Sequence, residues 1–475
     1  MKTDRSETDR HGDGGMSARN GAKPFGCLRR LGIGLLVLSV VLAVPWTYFD
    51  ITLGMKLERE LGAIRERGEP LTLAEAVPGM PPRDENAADV YEEAFRVFQK
   101  WEPTPEGAVP GTRLSDLAPE MQQAVDDFIS GESVDLPAEA RRWLFSDEIE
   151  QRLEAIKRAS RMERCVFPVN WEDGFAALFP HLAQFREAQR LVTARMMIAG
   201  REGRTGEALE WCKVGLRMSE HVGQEPTLIG LLVRVSMLEA LSAGARDILD
   251  DLRLSLAEVR SLHGIIAQED LWRHLRDAMQ AERASGLSLL ARPADLSGTG
   301  HGTSSPYQEA LWALYRSPAG APWRKNDAVT LLTLHDLFEE RMERPWREVR
   351  DDWPQRDDYV GFRGWAAPIT MVVTPVFERI TKKRDSAIAR MDQFQIALAL
   401  NLYRQKHGEY PPALEPLAGT MDWTIPDDIF SGEPFGYHRE GNGYLLWSVG
   451  PDLGDDGGAD SEEGDDGDIV WRVQG

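Results

Sequence analysis

Residues 182–216 read LAQFREAQRLVTARMMIAGREGRTGEALEWCKVGL, with apolar side chains every three or four positions on both sides of a glycine-containing turn. That spacing places the apolar side chains on one face of a helix, so the stretch predicts two amphipathic helices joined at residues 200–206. The same periodicity continues to about Ile265 with short interruptions. An α-helical array is therefore the predicted centre of the protein.

The second of these helices, Glu207 to Leu216 with Gly203 ahead of it, resembles the second half of a tetratricopeptide repeat. In that family small residues let two antiparallel helices approach closely, and a large residue fills the groove between them. No second copy follows at a period of about 34 residues, so the resemblance implies one helical hairpin within the array. Such arrays present groove surfaces to partners.

Helical patterns flank this centre, and the predicted helical domain spans residues 84–350. Asp84 is the predicted N-cap of the first helix, because a carboxylate there accepts a bond from an early backbone N–H. Residues 137–163 are predicted to form one helix. Residues 365–377 are apolar but interrupted by two prolines, and they predict a buried segment rather than a membrane span.

The net charge of −22, from 55 basic and 77 acidic residues, argues against nucleic acid as a partner. The three cysteines exclude a disulfide-dense scaffold. Cys165 and Cys212 are predicted either to form one disulfide or to remain two buried thiols. No zinc-helix spacing, nucleophile elbow or Walker loop is present, and the adjacent pair His335 and Asp336 does not share a helix face. The composition and motifs favour a protein that is not an enzyme.

Residues 31–49, LGIGLLVLSVVLAVPWTYF, contain no charged side chain. A helix of this length nearly crosses a hydrocarbon core of about 30 Å, and Trp46 and Tyr48 suit the membrane–water interface. A cleavable signal peptide is the first alternative, but small residues are missing after the apolar run. A buried core helix is the second, but the run has no polar stripe. We therefore predict a single transmembrane helix.

The charges around this helix predict its orientation. Lys23, Arg29 and Arg30 precede it and Asp50 follows it, so the positive-inside rule places the N-terminus in the cytoplasm. The bulk of the chain is then extracytoplasmic. Residues 1–30 are predicted to be a disordered cytoplasmic tail, and residues 50–83 a stalk.

The C-terminal part, residues 366–475, predicts a long helix followed by a small antiparallel sheet. The helix should run from Glu378 to about Lys406, where His407-Gly408 ends it. Residues 435–439 and 444–449 surround a Gly/Asn turn and predict a β-hairpin, and residues 469–473 predict a last strand. The predicted fold class is thus mainly α, with a small C-terminal α+β cap.

Several short motifs of this part occur in a recognisable order: Tyr403-Arg404, His407-Gly408, Tyr410-Pro411, Phe430–Pro434, Tyr444, Ser448–Asp452 and Asp468-Ile469. In this order they resemble the C-terminal part of the major pseudopilins of type II secretion systems. The resemblance implies a long helix packed on an antiparallel sheet that a calcium-binding loop closes. It also implies a ligand role for Asp452, with Asp466 and Asp468 near the second acidic cluster. The prepilin peptidase site is missing, so we do not expect processing as a pilin.

The loop from Asp452 to Asp468 holds nine acidic residues and no basic one, independently of any resemblance. Calcium takes about six to eight oxygen ligands from such loops, and the glycines permit the turns. Gly454 at the third position argues against an EF-hand. The predicted calcium ligands are Asp452, Asp456, Asp466 and Asp468. The alternative is a solvated acidic loop.

The sequence leads to three functional hypotheses. The first is a membrane-anchored scaffold or interaction protein of the cell envelope, with the lipid bilayer and an unknown envelope protein as partners. The second is an envelope hydrolase whose site lies on the helical domain. The third is an accessory component of a secretion apparatus. The whole chain resembles uncharacterised bacterial membrane-anchored proteins with this ending, which implies no activity.

Overall fold

The computed structural model describes residues 25–95, 117–171, 173, 177–292, 306–354, 377–420, 423–459 and 467–474. The protein is mainly α-helical with one small antiparallel sheet near the C-terminus, as the sequence predicts. The helices are α1 (Phe25–Arg67), α2 (Leu73–Ala76), α3 (Ala87–Phe95), α4 (Pro119–Ser130), α5 (Ala138–Leu144), α6 (Asp147–Ser160), α7 (Pro180–Arg201), α8 (Thr205–Val222), α9 (Leu228–Ile248), α10 (Leu256–Ile266), α11 (Leu271–Ala291), α12 (Pro306–Arg316), α13 (Ala321–Met342), α14 (Trp346–Val349) and α15 (Phe377–His407). The strands are β1 (Gly436–Glu440), β2 (Gly443–Ser448) and β3 (Ile469–Val473).

Helices α7, α8 and α9 pack on one another at the centre of the body. A short turn joins α7 to α8, and Gly203 within it has a φ of +73°, which only glycine adopts without strain. Trp211 of α8 is completely buried between the helices. Gly200 lies against α9, because a Cβ built there would stand 2.8 Å from the Cβ of Ile248. The predicted helical hairpin is present.

The predicted stalk is largely part of the folded body. Helix α1 continues without a break from the apolar run to Arg67 and packs along α13. Ile64 is only 1% exposed, and Leu57 packs against a second, smaller apolar cluster formed by Leu290, Tyr315, Ala328 and Leu331. The prediction of a stalk over residues 50–83 is wrong here because these buried residues need a partner surface, which α13 supplies.

The other N-terminal predictions have mixed outcomes. The helix begins at Phe25 rather than at residue 31, so the predicted tail is helical from that point, while residues 1–24 lie outside the described part. The first helix of the predicted domain starts at Ala87, not after Asp84. Asn86 does the capping, since its Oδ1 accepts the backbone N–H groups of Ala88 at 3.2 Å and Val166 at 2.9 Å.

The helix predicted over residues 137–163 is two helices, α5 and α6, separated at Phe145 and Ser146. The second begins with three acidic residues in its first turn, a charge distribution that favours a helix N-terminus. The apolar segment 365–377 lies outside the described residues except for Phe377, which opens α15. The long predicted helix, the hairpin and the last strand are confirmed.

The C-terminal sheet has the order β1-β2-β3, with both pairs antiparallel. Helix α15 lies between this sheet and α9, and it is buried along most of its length. The Asn401 amide donates to the carbonyl oxygen of Leu249 at 2.7 Å, and the Gln393 amide donates to that of Ile469 at 2.6 Å. The helical region and the cap therefore share one continuous apolar core.

Two helices of the described chain are long and apolar enough to cross a membrane. The first is the N-terminal part of α1, from Gly32, where none of the apolar window is buried. The second begins at Leu228 in α9, but 67% of its window is buried inside the body. Burial by other helices accounts for most of the apolar character of α9, so of these two helices α1 is the one whose apolar window the described chain leaves uncovered.

Candidate functional site

The acidic loop begins after β2 and returns to the sheet in β3. Two side chains from outside the cap hold its first residues in place. The indole Nε1–H of Trp346 donates to the carbonyl oxygen of Pro451 at 2.9 Å. The Arg350 guanidinium donates to the carbonyl oxygen of Asp452 at 2.9 Å. The start of the loop is thus fixed by α14 and by Arg350 directly after it.

Asp468 closes the other end of the loop. Its side chain is buried, with one carboxylate oxygen accepting the backbone N–H of Gly458 at 2.7 Å and the other that of Asp456 at 3.4 Å. Burial raises the pKa of this carboxyl group, the two backbone bonds oppose the rise, and the nearby charges of Asp456 and Asp455 add to it. The loop therefore folds back onto β3 through Asp468.

Two exposed acids of the loop, Asp452 and Asp455, accept bonds from the loop and from β2. Asp452 accepts the N–H of Gly454 at 2.9 Å. Asp455 accepts the N–H of Gly457 and the indole N–H of Trp447, both at 2.9 Å. These carboxylates stabilise turns in the loop.

The four predicted calcium ligands are only partly brought together. Asp456 and Asp468 are adjacent, Asp452 is engaged in its own turn, and Asp466 lies outside the described residues. Within the described part of the chain, no three His, Cys, Asp or Glu side chains converge to hold a metal ion. Calcium takes about six to eight oxygen ligands, so the predicted site would also need carboxylates from residues 460–466, which hold five of the nine acids and lie outside the described part.

A cleft that is partly open to solvent lies in the helical body. Its lining comes from the segment before α7, from α7 and from the end of α8, and it includes Cys165, Phe167, Trp171, His181, His221 and Glu225. The His181 imidazole stacks on Phe167 with 4.2 Å between ring centroids, and its Nε2 lies 2.6 Å from a Glu225 carboxylate oxygen. Side chains distant in sequence thus form a carboxylate–imidazole pair.

The other titratable groups of the cleft are held in their neutral forms. The Nε2–H of His221 donates to the carbonyl oxygen of Met162 at 2.9 Å, so its Nδ1 accepts the Tyr91 hydroxyl at 3.0 Å. Burial lowers the pKa of His221 to about 4. Burial also raises the pKa of the Cys165 thiol well above its ordinary value. A protonated thiol is a poor nucleophile, so this cleft lacks an activated cysteine.

Sequence reasoning missed this cleft because its residues follow no short motif. Cys165 and Cys212 are two free, buried thiols and do not form a disulfide with each other. His335 is buried against Phe377, whereas Asp336 pairs with Arg67 at 3.2 Å. The two neighbours point to different surroundings, as expected for adjacent helical positions.

Comparison of the chain with protein-family models, with curated proteins and with solved structures gives no match.

Proposed function

We propose that this chain is a single-pass membrane protein of the cell envelope whose helical body serves as a scaffold for another envelope protein. The supporting observation is the surface of α1. Leu36, Leu42 and Val44 are 66%, 64% and 63% exposed, although each is fully apolar. Apolar surface costs about 25 cal/mol per Å² in water, and hydrocarbon removes that cost. A bilayer is the solvent that fits this surface.

The basic residues Lys23, Arg29 and Arg30 before the run, and Asp50 after it, support an orientation with the body outside the cytoplasm. Carbonate extraction of membranes tests the anchor, and protease treatment of intact cells and spheroplasts tests the orientation. We expect the full-length chain to stay in the membrane pellet and its body to be cleaved only after the outer layers are opened. Release of an untrimmed chain into the supernatant would refute the anchor.

A partner surface is available on α9. Ile229 and Leu232 are 53% and 37% exposed and lie one turn apart on the same face of that helix. Neighbouring apolar side chains on a helix face are a common anchor for a protein partner. A photo-crosslinker at either position should capture the same envelope protein in cells, whereas one at Val134, also exposed, should not. Loss of the crosslink in Ile229→Glu would support the surface, and equal capture from Val134 would argue against it.

Calcium in the acidic loop remains part of this proposal. The loop carries nine acids without a base, and the charges of Asp456 and Asp455 add to the rise that burial causes in the pKa of Asp468. A divalent cation would offset this repulsion and rigidify the cap. Thermal melts with calcium, with magnesium and with chelator test it. A melting temperature that is higher in calcium alone supports the ion, and identical melts would refute it.

Two alternatives have specific support. The packing of α15 on β2 and β3 supports an accessory role in a secretion apparatus, which a pull-down lacking any secretion component would contradict. The His181–Glu225 pair supports a hydrolase, because a carboxylate-oriented imidazole acts as a general base. Turnover of peptide or ester substrates that is lost in His181→Ala would establish the hydrolase over the scaffold.

A further inference from the structure

The turn between α12 and α13 touches α1 where the apolar run ends. We call residues 309–324 the elbow. The indole Nε1–H of Trp46 donates to the carbonyl oxygen of Ala319 at 2.8 Å. One turn further along α1, the Lys325 ammonium group lies 2.7 Å from a carboxylate oxygen of Asp50. The first contact lies in the elbow and the second directly after it, and together they hold the elbow at the level of Trp46 and Asp50.

The outward face of the elbow is apolar and uncovered by the described chain. Leu314 is 47% exposed, and Ala310, Ala313, Pro318 and Ala319 are also exposed. Ala310, Ala313 and Leu314 share one face of α12 by their spacing of three and four. This apolar face lies next to the uncovered apolar part of α1, so the two form one continuous apolar surface.

The inward face of the elbow is rigidly packed. The Tyr315 hydroxyl donates to a buried Asp327 carboxylate oxygen at 2.7 Å, and burial raises the pKa of Tyr315 above its ordinary value. Trp312 and Trp323 pack on the apolar cluster that also contacts Leu57 of α1. The elbow therefore holds its position relative to α1.

The residues around the contact are those that membrane interfaces favour. Trp46, Tyr48 and Phe49 are 41%, 64% and 56% exposed and mark the interfacial end of the apolar run. The elbow adds the cation Arg316, whereas the Arg324 guanidinium donates to the carbonyl oxygen of Ser317 at 2.9 Å. Arginine near the end of a membrane span places its charge among the headgroups, where anionic lipids attract it.

We infer that the elbow is a second membrane contact, in which Ala313, Leu314 and Ala319 enter the interfacial layer of the same bilayer that α1 crosses. The inference rests on the proposal that α1 spans a membrane and goes beyond it. A single helix leaves a body free to tilt, whereas two contacts fix its inclination. The elbow would thereby set which face of the body points away from the lipid.

Spin labels on the full-length chain in vesicles of phosphatidylcholine and phosphatidylglycerol test the inference. Single cysteines replace Leu36 in the span, Leu314 and Ala319 in the elbow, and Val134 as the control in a Cys27→Ser background. Cys165 and Cys212 are buried, so they should stay unlabelled. Val134 is 73% exposed and follows α4, which packs on α7 and α9.

Collisions with oxygen, which concentrates in lipid, and with a water-soluble nickel chelate then report depth. We expect the ratio of the oxygen to the nickel collision rate to be several-fold higher for labels at Leu36, Leu314 and Ala319 than for the label at Val134. Nickel-accessible labels at Leu314 and Ala319 beside a lipid-exposed Leu36 would overturn the elbow contact alone. Low collision rates with both reagents in the elbow would also overturn it, because a protein then covers that face. A nickel-accessible Leu36 would overturn the anchor itself.

Discussion

Asp428 joins the segment before the hairpin to the end of β2. Its carboxylate is 1% exposed, and it accepts the Ser448 hydroxyl at 2.6 Å and the backbone N–H groups of Phe430 and Val449, both at 3.1 Å. One side chain therefore satisfies three donors that would otherwise be buried without a partner. Asp428 therefore has a structural role. Nothing in the sequence around it distinguishes it from its exposed neighbour Asp427.

We predict that Asp428→Ala lowers the free energy of unfolding by about 2–4 kcal/mol, because each buried donor left unpaired costs about 1–3 kcal/mol. The matched control is Asp427→Ala, whose exposed side chain should change stability by less than about 0.5 kcal/mol. Chemical denaturation of the two variants measures the difference. Equal effects would show that the bonds of Asp428 contribute nothing specific.

The carboxyl group of Asp392, in α15, should make the stability of the protein depend on pH. Burial, with a contribution from the charge of Asp428, raises its pKa from 3.8 to about 7. The folded state thus binds more protons than the unfolded state between these values, so Asp392 makes stability fall as pH rises from about 4 to about 7. Asp392→Asn removes the titrating group. We expect the variant to gain about 1–3 kcal/mol relative to the parent above pH 7, but not below pH 4.

Unfolding free energies of the parent and Asp392→Asn, measured across this pH range, provide the test. The difference between the two curves isolates Asp392 from all other titrating groups. A difference that does not vary with pH would mean that Asp392 titrates at its ordinary value in the fold.

At the scale of elements, the packing of α7 on the end of α9 depends on a missing side chain. A Cβ at Gly200 would stand 2.8 Å from the Cβ of Ile248, an atom that cannot move away without moving the backbone of α9. Gly206, in the first turn of α8, has no atom within 4 Å of its built Cβ. The two glycines belong to the same seven-residue stretch of sequence but serve different purposes.

We predict that Gly200→Ala destabilises the protein by about 1–3 kcal/mol through overpacking. Gly206→Ala should stabilise it by about 0.5–1 kcal/mol, since alanine is the better helix former. Thermal unfolding of both variants gives the comparison. Stabilisation in both variants would indicate that the close contact between α7 and α9 yields easily.

At the scale of the whole molecule, α1 has two parts with different surroundings. The first part is apolar and exposed, whereas the part after Asp50 packs on α13 and ends near a buried ionic cluster. There the Glu69 carboxylate lies 2.8 Å from the guanidinium of Arg283, which is fully buried and also contacts Glu339 at 3.1 Å. The segment after the apolar run is therefore part of the body and not a spacer.

We predict that a chain starting at Asp50 is monodisperse without detergent and melts close to the full-length protein. A chain starting at Pro70 loses Leu57, the buried Ile64 and the carboxylate of Glu69. It should be less stable by about 3 kcal/mol or more, because buried apolar contacts are lost and Arg283 loses a partner. Equal melting of the two fragments would show that α1 is only an anchor.

Periodicity and turn residues in the sequence determined the helical class, the α7–α8 hairpin, the extent of α15 and the antiparallel sheet, because local spacing alone places apolar residues on one face. The uncharged run likewise marked the apolar part of α1. Apart from the pairing of β3 with β2, these predictions depend on interactions between residues that are near one another in the chain.

Only the tertiary structure decided what those elements contact. It showed α13 covering the second half of α1, α15 joining the cap to α9 in one core, and His181 meeting Glu225 across the cleft. Each of these depends on residues far apart in the chain. An apolar face in the sequence indicates that another surface must cover it, but it does not indicate which one. A buried carboxylate also has the same sequence pattern as an exposed one.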